Sequence, residues 1–464
     1  MPEPVTRKLH VAMFPWFAPG HMSPYLYLAN ELAKRGHKIS YLLPRKAKSQ
    51  LQSHNLYPDL VTFHVLPVPH VEGLPPGTET ASEIPISLTS LLAIAFDNMR
   101  DQVEALLNDL RPDLVFYDTA FWITEFAPKI GFKTVCYNAV PAAPIALAFV
   151  PARNVPKDRD LTDEELIEPP KGYPSSSVVL RKNEAKSLAF ISLEFGGKNV
   201  YERITAALKG CDAIAIRTCK ELEGQFCDYI GSQFQKPVFL SGLVLPEQDK
   251  TPLESRFSEW LGKFEPNSVA FCAFGGQLIL EEKQFQELVL GFELTGMPFL
   301  LALKPPLGAN SIEEALPDGF EERVRGRGLV YGGWIQQPQI LAHPSIGCFV
   351  NHCGSGTMWE SLTSDCQTVL LPHLGDQILN SRLLCDHLKV SVEVERDENG
   401  WFSKESLSSA IKNVMDGDSE VGSMLKKNHL KWKEILSSPE YMSGYVENFI
   451  PHLYELLELG EAKV

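Results

Sequence analysis

Cys348-Phe-Val-Asn-His-Cys-Gly-Ser-Gly-Thr-Met-Trp-Glu-Ser-Leu362, closed by Thr368-Val-Leu-Leu371, decides the fold. An apolar run, a glycine-rich turn, a helix-length segment and a second apolar run make a parallel β-α-β crossover. The same alternation extends outward. Val269–Phe274, Phe299–Lys304 and Leu329–Tyr331 precede it and Val390–Val394 follows, separated by segments such as Glu281–Glu293 and Asp376–His387. An earlier series reads the same way: Leu9–Phe14, Lys38–Leu43, Asp113–Asp118, Lys133–Tyr137, Asp212–Arg217 and Val238–Leu240, with Met22–Arg35 amphipathic between the first two. Between the series, 242–256 carries Pro246, Pro252 and five charged residues without periodicity, which marks a linker. The expectation is an α/β chain of two consecutive doubly wound domains, 1–241 and 257–436, with a cleft between them. The amphipathic tail 437–464 is expected to be helical and to pack back on the first domain.

Composition narrows the function. The 464 residues include 43 Lys and Arg against 58 Asp and Glu, a net charge of −15. Tracking nucleic acid or an anionic membrane requires the opposite balance, although backbone amides can still build a local anion site. Nine scattered Cys, without a CxxC pair, read as free thiols of a reducing compartment. The apolar run from Leu9 is broken by His10, Pro15 and His21 and does not read as a signal peptide, so a cytoplasmic, monomeric protein is expected. Thr134–Ala152 is uncharged and long enough to span a bilayer, but Pro141, Pro144 and Pro151 would break such a helix. It reads instead as a buried strand, a loop and a short helix.

The common nucleotide and hydrolase motifs are missing. The turn after the first strand, Pro15-Trp-Phe-Ala-Pro-Gly-His21, holds one glycine where a dinucleotide fingerprint needs three. Gly291 and Gly296 have P-loop spacing, but Met297 stands where lysine is required. There is no GxSxG and no HExxH, and no acidic cluster suggests a metal.

The segment Trp334-Ile-Gln-Gln-Pro-Gln-Ile-Leu-Ala-His-Pro-Ser-Ile-Gly-Cys-Phe-Val-Asn-His-Cys-Gly-Ser-Gly-Thr-Met-Trp-Glu-Ser-Leu362, closing with Leu371-Pro-His-Leu-Gly-Asp-Gln377, resembles the signature of plant family-one UDP-glycosyltransferases. Gly20-His21-Met-Ser-Pro24, Asp118 and the general layout extend the resemblance over nearly the whole chain. It implies a GT-B fold of two facing, doubly wound Rossmann-like domains, an acceptor site in the first domain and a UDP-sugar as donor substrate in the second, with no metal or other cofactor. For the donor it implies Trp334, with Ile335 beside it, against the uracil, and Gln337 and Glu360 on the uridine. His352, Gly354, Ser355, Gly356 and Thr357 would hold the diphosphate, and Asp376 and Gln377 the transferred sugar. Two alternatives stay open: Trp334 as a core residue, and Thr357-x-x-Glu360 as a helix capping box. The chain departs from the family at Ser355-Gly356, where Trp-Asn is common, and at Phe274-Gly275-Gly276-Gln277, where a serine often ends the turn. Gly276 is read with the diphosphate group, where it would admit backbone close to the phosphates.

Histidine is the side chain that exchanges a proton near neutral pH, so His21 is the candidate base and Asp118 the carboxylate that orients it. Trp16, Phe17, Phe121 and Trp122 offer aromatic surface for an acceptor, or else fill the core. Met13–Phe17, the 68–77 loop, Trp334–Gln337, the 352–356 variant and Leu374–Asn380 look like the branch that extends anthocyanin and flavonol 3-O-glycosides, often at the 2-hydroxyl of the first sugar. UDP-glucose is the donor expected first, ahead of UDP-xylose, UDP-galactose and UDP-rhamnose. The competing readings are transfer to a flavonoid aglycone or a terpenoid glycoside, and a catalytically idle UDP-sugar-binding protein.

Overall fold

The computed structural model describes residues 7–247, 251–275 and 278–461. The chain divides into two compact units. The first comprises the chain up to Pro174, Leu188–Pro246 and the tail from Pro439; the second comprises Ser175–Ser187 and Glu247–Ser438.

The first unit is built on seven parallel strands: β1 (His10–Phe14), β2 (Lys38–Leu43), β3 (Val61–Val65), β4 (Leu114–Tyr117), β5 (Lys133–Asn138), β6 (Ala213–Ile216) and β7 (Val238–Leu240). Their order is β3-β2-β1-β4-β5-β6-β7. Helices cover both faces of such a sheet, which is why β4 and β6 are apolar and buried at every position rather than alternating. The chain winds one way from β1 through β2 to β3 and the other way from β1 through β4, so the switch point lies between β1 and β4. β3 is the one strand of this sheet that is absent from the series read in the sequence. It is an edge strand with only Val61 buried, so it carries no apolar run to see. The uncharged 134–152 stretch is β5, a loop and the helix Ala142–Ala148.

The second unit has six parallel strands: β8 (Val269–Ala273), β9 (Phe299–Ala302), β10 (Gly328–Tyr331), β11 (Ile346–Asn351), β12 (Gln367–Leu370) and β13 (Ser391–Glu393). Their order, β10-β9-β8-β11-β12-β13, puts this sheet's switch point between β8 and β11. The linker read over 242–256 contains the boundary at Pro246–Glu247, but its last two residues already belong to the helix Ser255–Leu261.

The tail forms a helix, Pro439–Glu461, whose Val446, Phe449, Leu453 and Leu456 lie buried along one face. Phe449 meets Phe116 and Phe239, each at 6.2 Å between ring centres. The Tyr445 hydroxyl donates to Glu221 at 2.5 Å and accepts from the Lys220 amide at 2.8 Å. Each of those apolar side chains contributes on the order of 1.5–3 kcal/mol by leaving water.

Residues 175–187 were read as part of the first domain, yet they belong to the second unit. Charge holds them there. The Arg382 guanidinium, 2% exposed, pairs with Glu184 and with Glu393, and Glu393 also pairs with Arg181 at 3.2 Å. Among the described residues no helix is long and apolar enough to cross a membrane, and no group of His, Cys, Asp and Glu is arranged to hold a metal.

Candidate functional sites at the two switch points

In the first unit the switch point brings together the segment after β1 and the end of β4. The helix Pro19–Lys34 begins with proline in its first turn, which suits the missing N–H, and it therefore starts earlier than the amphipathic stretch from Met22. His21 consequently sits in the first helical turn rather than in a loop. Its Nδ1 lies 2.7 Å from Asp118 Oδ2. The other oxygen, Oδ1, accepts the Trp16 amide at 2.9 Å and the Thr119 amide at 2.5 Å. Three donors fix a carboxylate that is only 6% exposed, while His21 remains 28% exposed. An ionised Asp118 accepts the Nδ1 proton, which leaves Nε2 with its lone pair for an incoming hydroxyl.

The four aromatic residues beside this pair do not share one environment. Phe17 is wholly buried, 5.6 Å from Phe14 and 5.0 Å from Phe96 between ring centres. Trp122 is covered by Phe14, Phe96 and Phe126, and its Nε1 donates to Asp97 at 2.8 Å. Core packing accounts for both, because no face of either ring is left over. Trp16 contacts Phe195 at 5.1 Å, and Phe121 is partly exposed beneath Lys198. Sequence reasoning missed Asp97 and Arg203, a bidentate pair at 2.8 and 2.5 Å in which the guanidinium is wholly buried, the carboxylate is partly exposed, and Asp97 also accepts from Trp122. Their charges stand in separate segments of the sequence, and nothing local joins them.

The second unit's switch point lies at the ends of β8 and β11. β11 ends at Asn351, whose Oδ1 accepts the Cys353 amide at 2.8 Å and whose Nδ2 donates to Ser361 Oγ at 3.2 Å. Cys353 adopts φ +60, and its carbonyl accepts Asn380 Nδ2 at 3.0 Å. Asn351 and Asn380 thus clamp the turn that carries His352. An asparagine at the close of a strand is a turn signal that the sequence reading does not use.

His352 lies in a slot between glycines. A Cβ at Gly354 would come within 2.7 Å of its Nε2, and one at Gly275 within 3.3 Å of its Cε1. Gly276 itself lies outside the described residues. Gly354 caps the helix Ser355–Thr363, which has no side-chain cap, so the amides of its first turn are open to an anion. This start makes Thr357 a third helical residue and removes the capping-box alternative for Glu360. Glu360 Oε2 instead accepts from Gln337 Nε2 at 2.7 Å. A Cβ on Gly356 would meet nothing within 4 Å, so that glycine leaves open space.

Trp334 is 77% exposed, so it is not a core residue, whereas Ile335 packs partly against the apolar cluster around Phe271 and Phe349. Asp376 and Gln377 stand in the first turn of the helix Gly375–Arg382, after β12. Gln377 Oε1 accepts the His373 and Leu374 amides at 3.0 and 3.2 Å, so the cap occupies its oxygen and its amide nitrogen is the group left to donate.

Residues 312–435 match the family model described as "UDP-glucoronosyl and UDP-glucosyl transferase". UDP-glycosyltransferase 79B6 of Arabidopsis thaliana is 56% identical over 453 residues, 97% of this chain and 98% of that protein. The anthocyanidin 3-O-glucoside 2'''-O-xylosyltransferase of the same plant is 53% identical over 456 residues, 97% of each chain. The crystal structure of Glycyrrhiza uralensis UGT73P12 complexed with glycyrrhetinic acid 3-O-monoglucuronide superposes with a TM-score of 0.80 at 20% identity, covering 98% of this chain and 97% of that one. That likeness establishes the GT-B fold. Relatedness of this depth over nearly the whole length goes further: the chain belongs to the plant family-one UDP-glycosyltransferases.

Proposed function

We propose that this glycosyltransferase moves a sugar from a UDP-sugar to a sugar hydroxyl of a flavonoid or anthocyanin 3-O-glycoside, the 2-hydroxyl foremost. The observation that carries the acceptor is the full-length relative at 53% identity, whose name specifies transfer onto an anthocyanidin 3-O-glucoside. UDP-glucose is the donor expected first, and that xylosyl-transferring relative makes UDP-xylose the first comparison.

The residues divide the work as follows. Exposed Trp334 stacks on the uracil, since a flat base suits an indole face. The hydrogen-bonded Gln337–Glu360 pair meets the ribose hydroxyls. His352 and the open amides of 355–357 receive the diphosphate, and Asp376 with the Gln377 amide nitrogen binds the transferred sugar. His21 Nε2 takes the acceptor hydroxyl's proton, and Asp118 stabilises the imidazolium that results. The oxygen then attacks the anomeric carbon from the side opposite UDP. The carbon–oxygen bond to the diphosphate breaks, UDP departs with the electron pair, and the configuration inverts. No step calls on a metal. A sugar hydroxyl is far less acidic than a phenol, so this acceptor leans on an oriented base more than an aglycone would.

Paired flavonoid aglycones and their 3-O-glucosides, incubated with a set of UDP-sugars and read by mass spectrometry, test the acceptor. The expected result is at least a tenfold preference for the glucosides. Preference for the aglycones overturns the sugar-on-sugar reading and leaves the glycosyltransferase standing.

A further inference from the structure

The chemistry above uses one imidazole at the second switch point, and the structure places another beside it. His373 follows β12, and its ring centre lies 5.7 Å from that of Phe274. Gly275, the next residue along, is the one that abuts His352. One dipeptide after β8 therefore touches both rings, and charge on His352 is felt at His373. His352 Nδ1 and His373 Nε2 are both sealed from solvent, and neither has a hydrogen-bond partner among the described residues. An unpartnered buried ring nitrogen is costly, and two on neighbouring rings concentrate unmet hydrogen-bonding capacity at this switch point.

Burial drives both imidazoles to the neutral form, His352 down to about 4 and His373 down to about 3. The charged groups around them are few. Arg396, with its guanidinium on the Pro372 carbonyl at 2.6 Å and the Gly400 carbonyl at 2.7 Å, further opposes a proton on His373. Asp376 stands in the first turn of the helix that follows His373, and Glu360 lies on the helix after His352, bonded to Gln337. In the absence of an anion the pair carries no proton at neutral pH.

We propose that His373 is a second binding residue for the donor's diphosphate, and that His352 and His373 together take up one proton when that diphosphate binds. The proton comes from solvent onto a ring nitrogen, no other bond changes, and it returns to solvent when the nucleotide leaves. Holding it almost fully at pH 7 needs roughly a ten-thousandfold gain in proton affinity over an imidazole at about 4. Two diphosphate charges within about 5 Å supply a gain of that order at ordinary protein dielectric. The inference rests on the reading of this unit as the UDP-sugar site.

UDP-glucose is the right probe, because its diphosphate is a diester that does not itself titrate near neutrality. Calorimetric titration at pH 7 in two buffers of different protonation enthalpy counts the protons that enter the protein. About one per UDP-glucose is expected, with none for uridine, which lacks phosphates. In the His373→Leu variant the uptake should vanish and UDP-glucose affinity should fall about tenfold, while unchanged uridine affinity shows that the site is still folded. Binding of UDP-glucose with an enthalpy independent of buffer would overturn the proposal, as would full proton uptake in the variant. Failure of both UDP and UDP-glucose to bind would remove the donor-site reading itself.

Discussion

Replacing His21 with alanine is expected to lower kcat by at least ~10²-fold while UDP affinity stays within a factor of two of the unaltered protein. The reason lies in where the pair stands. His21 and Asp118 belong to the first unit's switch point, whereas every residue assigned to the nucleotide lies in the second unit. The loss should therefore appear in turnover with little change in donor binding. Asp118→Asn keeps an oxygen for the Trp16 and Thr119 amides but removes the charge that balances an imidazolium, so kcat should fall there too. Steady-state kinetics with the preferred glycoside acceptor, alongside UDP titration, separates these effects. Near-normal turnover in the alanine variant removes His21 as the base.

The largest expected effect on stability comes from Arg382→Ala. Removing this guanidinium leaves Glu184 and Glu393 facing each other, 14% and 10% exposed, with a cavity between them. Breaking a buried charge cluster from one side typically costs about 3–5 kcal/mol, and here Glu184 loses its guanidinium while Glu393 keeps only the exposed Arg181. The helix that ends at Arg382 starts with Gly375, Asp376 and Gln377, so the donor KM should rise as well. Urea denaturation measures the first effect and donor kinetics the second. A loss below about 1 kcal/mol would mean that the cluster is an ordinary surface pairing. Replacing Arg382, Glu184 and Glu393 together with apolar residues should recover much of the stability.

The sheets were legible because their strands are buried on both faces and read as continuous apolar runs. β4 and β11 are buried at every position, and each hands its next residue, Asp118 or His352, to a switch point. β3 escaped because an edge strand with one buried residue has no such run. The transfer of 175–187 to the second unit was not legible, since Arg382 and Glu393 lie about 200 residues away from Glu184 and no local pattern announces the pairing. Within the site, residue type told more than position. Trp334 is identical in type to Trp122, yet one is exposed and the other lies buried with its Nε1 on Asp97. His373 went unremarked for a related reason: a histidine between Pro372 and Leu374 reads as loop until the fold sets it beside His352. The departures at Ser355 and Gly356 acquire a spatial meaning only in the fold, where Gly356 leaves open space at a helix N-terminus.

The central claim is a single displacement in which the oxygen freed by His21 attacks the donor's anomeric carbon directly. Proton NMR of the disaccharide made from α-linked UDP-glucose and a flavonoid 3-O-glucoside tests it most directly. A β-linked product, recognised by the large axial coupling of the new anomeric proton, with one UDP released per sugar transferred, is the predicted result. An α-linked product, or saturable UDP-glucose binding without UDP release, would contradict the account.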